Sequence, residues 1–234
     1  MNRKLFSVLL FSFSLGIGSA NAQNFARKVN TLIGTDYTGN TYPGAQAPFG
    51  MVQLSPDNGL PGWDRIAGYF YPDSTIAGFS HTHLSGTGAG DLYDISYLPA
   101  TKPFSIGEEP LGLHSKFSHK DETAYAGYYQ VRLQDYDINV ELTATPRCGV
   151  QRYTFPKNGK ERYVVLNLAK AMNWDATKNS GITLVDSFTI EGYRFSDGWA
   201  RGQRVWFRTR FSQPIKSIEI EKTPISSDAN GCVA

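Results

Sequence analysis

The chain has 234 residues and a formal net charge of +2 at neutral pH, with charged side chains at 19% of the sequence and interspersed. That near-neutral balance excludes the basic footprint with which proteins hold nucleic acid. An aromatic share of 13%, with no apolar face at helical period over three turns, points to one large all-β domain or two small ones with ample material for a core.

In chain order, Met1-Asn-Arg-Lys4, the apolar run over residues 5–15 and Ala20-Asn-Ala22 have the layout of a secretory signal peptide spanning residues 1–22. The mature chain is expected to begin at Gln23 and to be exported, whether to the periplasm, the cell surface or the medium. Gln23 stands where a lipid-anchored protein would carry Cys, and no later run is long enough to span a bilayer. Residues 25–34 fit a turn of helix or an entry strand, and a loop follows over 36–40. Short strands are expected over 49–54, 66–71, 76–80 and 92–98, each bounded by Gly, Pro or Asp. A long connection over 101–123 then gives way to cleaner alternation, with Tyr129, Val131 and Leu133 on one strand and Ile138, Val140 and Leu142 on the next. Further strands are expected over 149–155, 162–168, 188–195, 205–211 and 215–221, and their aromatics (Tyr153, Phe155, Phe195, Trp206, Phe207, Phe211) could fill a core between sheets. The spacing predicts a large antiparallel β-sandwich. A turn over 226–231 leads into Cys232-Val-Ala234, which looks like the start of another strand. A sandwich stopping there would keep an unpaired edge, so the chain is expected to be a fragment, truncated at its C-terminal end.

The residues of the first hundred positions gather more polar and aromatic side chains than turns require. Trp63-Asp64 lies in a loop between Gly62 and Gly68, and an indole beside a carboxylate can hold a pyranose, the ring stacking on the sugar and the acid accepting from vicinal hydroxyls. The plainer role for Trp63 is to plug the end of the sandwich. His81 and His83, two apart, would share one face of a strand, where they could bind zinc, grip sugar hydroxyls or stabilise a rim; zinc would need Asp91 or Asp94 as a third ligand. Gly86-Thr-Gly-Ala-Gly-Asp91 lacks the third Gly of a dinucleotide fingerprint and the Lys of a P-loop, so its glycines are expected to serve a tight turn with positive φ. The acids Asp57, Asp64, Asp73, Asp91 and Asp94 have surface turn duty as their default. Cys148 and Cys232 could bridge in an oxidising compartment or remain as two buried thiols.

Three segments, Pro43-Gly-Ala-Gln-Ala-Pro-Phe-Gly-Met-Val-Gln-Leu-Ser-Pro-Asp57, Gly68-Tyr-Phe-Tyr71 and Gly78-Phe-Ser-His-Thr-His-Leu-Ser-Gly-Thr-Gly88, resemble the N-terminal domain of glycoside hydrolase family 92, calcium-dependent exo-acting α-mannosidases. The resemblance covers residues 23–234 and weakens after about Pro99. It implies a galactose-mutarotase-like supersandwich that normally continues into an (α/α)6 helical catalytic domain in the same chain. It further implies inverting hydrolysis of terminal α-mannosides, such as the α-1,2-mannose of N-glycans, with Ca2+ held by residues outside this chain and a mannose-containing glycan as the partner. Trp63, Asp64, His81 and His83 are then expected on the substrate side, with no catalytic residue in the chain, and the isolated fragment is expected to be inactive. The competing reading is a stand-alone carbohydrate-binding module, and a sandwich without any ligand stays open because fold alone fixes no function.

Overall fold

The structure, a computed structural model, describes residues 25–103, 113–169, 172–226 and 229–233. The expected signal peptide over 1–22 lies outside them. In order, the strands are β1 (Ala45–Gln46), β2 (Gln53–Asp57), β3 (Thr75–Ile76), β4 (Gly78–Ser80), β5 (Ser96–Ala100), β6 (Ser115–Lys116), β7 (Glu122–Tyr125), β8 (Tyr128–Leu133), β9 (Ile138–Ala144), β10 (Gly149–Thr154), β11 (Tyr163–Asn167), β12 (Ala176–Asp186), β13 (Thr189–Asp197), β14 (Gln203–Arg210), β15 (Glu221–Ser226) and β16 (Ala229–Val233). Among the described residues the only helical elements are single 3-10 turns at Phe25–Lys28, Trp63–Arg65 and His119–Asp121. The all-β expectation holds.

One large sheet runs β1-β2-β4-β5-β11-β16-β12-β13-β14, with β15 paired to β16, and a second runs β10-β9-β8-β7. All pairings are antiparallel except β12 with β16. The main core lies between the sheets: Ala45, Leu54, Phe79, Leu98 and Ala100 meet Tyr129, Val131, Leu133, Ile138, Val140 and Leu142. The strict alternation on β8 and β9 is what sends those six side chains inward together. Each such fully buried apolar side chain stabilises the fold by roughly 1.5–3 kcal/mol. A second cluster of Ile95, Tyr97, Leu166, Leu168 and Ile190 sits towards the other end of the large sheet, with Val205, Phe207, Phe211, Ile215 and Ile218 packed on it.

Several strand expectations are corrected. Residues 66–71 form turns, and Ile66, Ala67 and Tyr69 are apolar because they are buried, with Gly68 at φ +86° bending the chain between them. The segment expected as a strand from Phe49 begins pairing only at Gln53, since Phe49 is fully exposed with a positive φ of 55°. Residues 215–220 pair with no strand and lie instead on the second cluster. Strand β12 was not expected at all: its side chains are mostly polar, and only Thr177 and Ser180 in it are buried, so main-chain pairing with β13 defines it without an apolar signal. Strand β16, the one that holds Cys232, lies inside the sheet against β11, β12 and β15, so the unpaired edge expected there is not found. Cys148 is an exposed free thiol, not a buried one, and the side chain of Cys232 lies outside the description. Trp206 is not in the core but 66% exposed.

The largest fully buried side chain is a charged one. Arg194, on β13, donates from Nε to the Thr177 hydroxyl at 2.9 Å, from Nη1 to Asp94 at 2.6 Å, and from Nη2 to Asp175. One guanidinium therefore joins β13, β12 and the loop before β5 with nothing left to water. Removing it strands two carboxylates in the interior, a loss of about 3–5 kcal/mol for a broken buried pair. Arg194→Met should lower the urea midpoint accordingly, and adding Asp94→Asn and Asp175→Asn should recover part of the loss; a midpoint unchanged by Arg194→Met would show that the network contributes nothing to stability.

Candidate functional site

The three motif segments meet at one buried pair. The side chains of Asp57 and His83 are completely inaccessible, with His83 Nε2 2.8 Å from Asp57 Oδ1 and 3.0 Å from the Ser80 hydroxyl. Its Nδ1 lies 2.7 Å from the Gln53 carbonyl oxygen. With a carbonyl at one nitrogen and a carboxylate at the other, the ring meets an acceptor on each side. Gly68 closes the pair off: a Cβ there would lie 2.4 Å from Asp57 Oδ1. The neighbouring Asn58 takes the Phe70 N–H on its side-chain oxygen at 2.5 Å and donates to the Thr75 carbonyl at 2.7 Å, which fixes the 66–71 turns over strand β2.

Beyond His83 the chain runs into the glycine-rich loop, residues 86–91, and three tryptophans stand around it. A Cβ on Gly88 would touch the Trp63 ring at 3.4 Å; the Gly90 carbonyl accepts from the Trp174 N–H at 3.3 Å; Asp91 Oδ1 accepts from the Trp199 N–H at 2.8 Å. Asn173, in the left-handed conformation at φ 54°, links two of these, since its side-chain oxygen accepts from the Gly62 N–H at 2.9 Å and its Cβ leaves no room for one on Gly90. Asp91 also accepts from Ala200 N at 2.8 Å and Gln203 Nε2 at 3.2 Å, so it caps the β13–β14 hairpin. The tryptophans are 57%, 47% and 78% exposed for Trp63, Trp174 and Trp199, and the first two meet edge to face at 6.0 Å. Exposed indoles are uncommon, because burial of so large an apolar ring is favourable, and their grouping marks a contact surface. Only Gly86 of the three loop glycines has a positive φ; Gly90 serves close approach to Asn173, and Gly88 has neither the turn conformation expected of it nor a neighbour that excludes a Cβ.

Of the residues singled out in the sequence, Trp63 and Asp64 lie exposed on the 3-10 turn at the edge of this surface. The two histidines do not share a strand face, since β4 ends at Ser80. His83 is spent on Asp57 and Gln53, and His81 is turned between the sheets, with Nδ1 2.8 Å from the Ile95 carbonyl and its ring against Gly149 and Tyr97. The acids are not surface turn residues either, apart from Asp64: Asp57, Asp91 and Asp94 are buried, and Asp73 is held by Arg65 at 2.7 and 2.5 Å. Among the described residues no group of three His, Cys, Asp or Glu side chains could hold a metal ion. Trp174, Trp199 and Asn173 were missed in the sequence. The signal for the first and last, an isolated Asn-Trp-Asp in an apolar-poor stretch, carries no periodicity to attract notice.

The chain matches the family model described as the glycosyl hydrolase family 92 N-terminal domain over residues 28–231. Among curated proteins it is 29% identical, over 236 aligned positions, to an uncharacterized secreted glycosidase of Arthroderma benhamiae, covering 83% of this chain and 28% of that one. Among solved structures it is similar to the family GH92 α-mannosidase of Bacteroides thetaiotaomicron in complex with mannoimidazole, with a TM-score of 0.81 and 31% identity over 89% of this chain and 30% of that one. A family GH92 inverting mannosidase of Bacteroides thetaiotaomicron is similar at a TM-score of 0.66 and 27% identity, over 89% and 29% of the two chains. The chain spans less than a third of the length of these relatives.

The burial of His81 has a consequence for pH. Loss of hydration is the main cause that lowers its pKa from 6.5 to about 4; the Ile95 carbonyl opposes the shift and neighbouring His83 adds to it. A depressed folded-state pKa means that the unfolded chain binds the proton more readily. The contribution is whole above pH 6.5 and is lost as pH falls through about 4. The difference amounts to at most about 3 kcal/mol. Urea midpoints measured from pH 7 to 4 should fall less steeply for His81→Gln than for the parent, the carboxylates common to both chains cancelling in the comparison; parallel curves would refute the assignment.

Proposed function

Because the chain belongs to glycosyl hydrolase family 92, as its N-terminal domain, we propose that it supplies the aromatic side of the sugar pocket of an exported α-mannosidase, whose reacting groups stand on a helical domain of the same protein. The observation that carries this reading is the set of three exposed tryptophans fixed around one glycine-rich loop. Indole faces match the C–H face of a pyranose, and Asp64 beside Trp63 offers acceptors to its hydroxyls. The substrate class is a terminal α-mannoside, α-1,2-linked mannose of N-glycans being the proposed example.

Inversion requires an acid and a base on opposite sides of the scissile bond, with a water between base and sugar. Among the described residues, Asp57, Asp94, Asp175 and Asp91 are engaged with His83, Arg194 or the β13–β14 hairpin, and Glu122 with Tyr69, Tyr129 and His119, which supports placing that pair on the other domain. The same engagement bears on calcium, which takes several oxygen ligands and would polarise and distort the bound sugar. The described residues gather no group of three His, Cys, Asp or Glu side chains that could hold it, and we propose that the ion is held mainly by the helical domain. What this chain does is bind, orient and shield one face of the sugar. A relative described as a secreted glycosidase supports export, and no helix among the described residues is long and apolar enough to cross a membrane.

Half a pocket should bind weakly. Titration of the purified chain with α-1,2-mannobiose, followed by tryptophan fluorescence, should give a dissociation constant of about 1 mM or weaker, and Trp63→Ala should weaken it about tenfold. Turnover of mannosides at an enzyme-like rate by this chain alone would overturn the division of labour, and tight binding that survives Trp63→Ala would overturn the rim. Micromolar binding lost with Trp63→Ala would instead identify a self-sufficient binding module.

A further inference from the structure

We propose that Asn173 is the positioning residue of the tryptophan surface, the side chain that sets the geometry of Trp63 against Trp174. The 3-10 turn Trp63–Arg65 is anchored unevenly. Its far end is held three ways: Arg65 donates to both oxygens of Asp73, its guanidinium lies over the Phe70 ring at 4.7 Å, and the carbonyl of Ile66, the residue after the turn, accepts from the buried Tyr93 hydroxyl. The near end, where Trp63 stands, begins at Gly62, which has no side chain to cap it. In a capping box the N–H of such a residue is met by a carboxylate or amide three positions on. That position is Arg65, which has no acceptor. The Gly62 N–H donates instead to Asn173 Oδ1 at 2.9 Å, from 111 positions away, and Asn173 Nδ2 reaches the Arg65 carbonyl at 3.5 Å. One amide thus brackets the turn, and its stronger bond falls at the end that carries the indole.

Two demands select the residue type. The backbone at 173 is left-handed, with φ 54°, which Asn adopts more readily than most residues, and the turn requires an acceptor and a donor on one short side chain. Asp meets the first demand and half of the second; Gly meets only the first. The same left-handed residue aims the chain that follows: the N–H groups of Trp174 and Asp175 both meet the Gly90 carbonyl at 3.3 Å, and the Cβ of Asn173 fills the space over Gly90. Its amide therefore places Trp63 and its backbone places Trp174, and the rings meet edge to face at 6.0 Å and 71°. Such a corner gives a pyranose one ring to stack on and a second beside it, already ordered before binding. That use of the corner rests on the mannosidase reading; the positioning does not.

Two indoles this close should give an exciton couplet in the far-ultraviolet circular dichroism of the chain, identified by its loss in Trp63→Phe. Asn173→Gly leaves the left-handed backbone accessible and removes the amide, so the couplet should collapse and the affinity for α-1,2-mannobiose should fall about fivefold. Asn173→Asp, which restores the acceptor for Gly62, should return both towards the parent. A parent spectrum that Trp63→Phe leaves unchanged, a couplet of parent strength in Asn173→Gly, no rescue by Asn173→Asp, or a mannobiose affinity that does not follow the couplet would overturn the inference. A parent chain that binds no mannobiose would sink the sugar reading and leave the couplet to decide the positioning by itself. Should Asn173→Gly not fold, amide exchange in the parent chain decides instead: protection of the Gly62 N–H is expected, and exchange at the rate of an open peptide would overturn the bond on which the positioning depends.

Discussion

The hydrogen-bonded pair of Asp57 and His83 is the constraint on which the rest of the site depends. Two ionisable side chains with no access to water are tolerable only when their polar atoms are met, and all three motifs converge here: Gln53 and Asp57 come from the first, Ser80 and His83 from the third, and Gly68 of the second packs where no Cβ would fit. Satisfying the pair fixes where strand β2, the 66–71 turns and the chain after β4 lie relative to one another. The Trp63 turn and the glycine-rich loop extend from those three segments, so the position of the indoles is inherited from a contact that no sugar could reach.

A second buried network does the same for the other side of the surface. Arg194 ties Asp94, which follows the glycine-rich loop, to Asp175, which follows Trp174. The interior therefore holds charge on both flanks of the tryptophan cluster, and apolar packing between the two sheets lies further away. Such networks do little for net stability compared with an apolar core of equal volume, but an unsatisfied arrangement is heavily penalised, which favours a single geometry.

Much of the fold was legible in the sequence. Alternation over Tyr129 to Leu133 and Ile138 to Leu142 gave strands β8 and β9 with their inward faces, because one side of that sheet is buried and the other is wet. Where burial and strand pairing part company, the pattern misleads: residues 66–71 are apolar without pairing, and β12 pairs without being apolar. The site was half legible. Trp63 and Asp64 stand where a ligand could meet them, and the histidine motif is central but turned inward, because the spacing of His81 and His83 says nothing of the strand ending at Ser80. Trp199 comes to the surface through Asp91, 108 positions away in sequence, and no local pattern encodes that meeting.

Trp174 and Trp199 are held by their backbone N–H groups, while their indoles project beyond the frame. Exchanging either ring leaves those anchoring contacts in place, since any residue but proline presents the same N–H. Exposed surface and architecture are in this way carried by different atoms of the same residue. The side chains at these two positions can therefore change at little risk to folding.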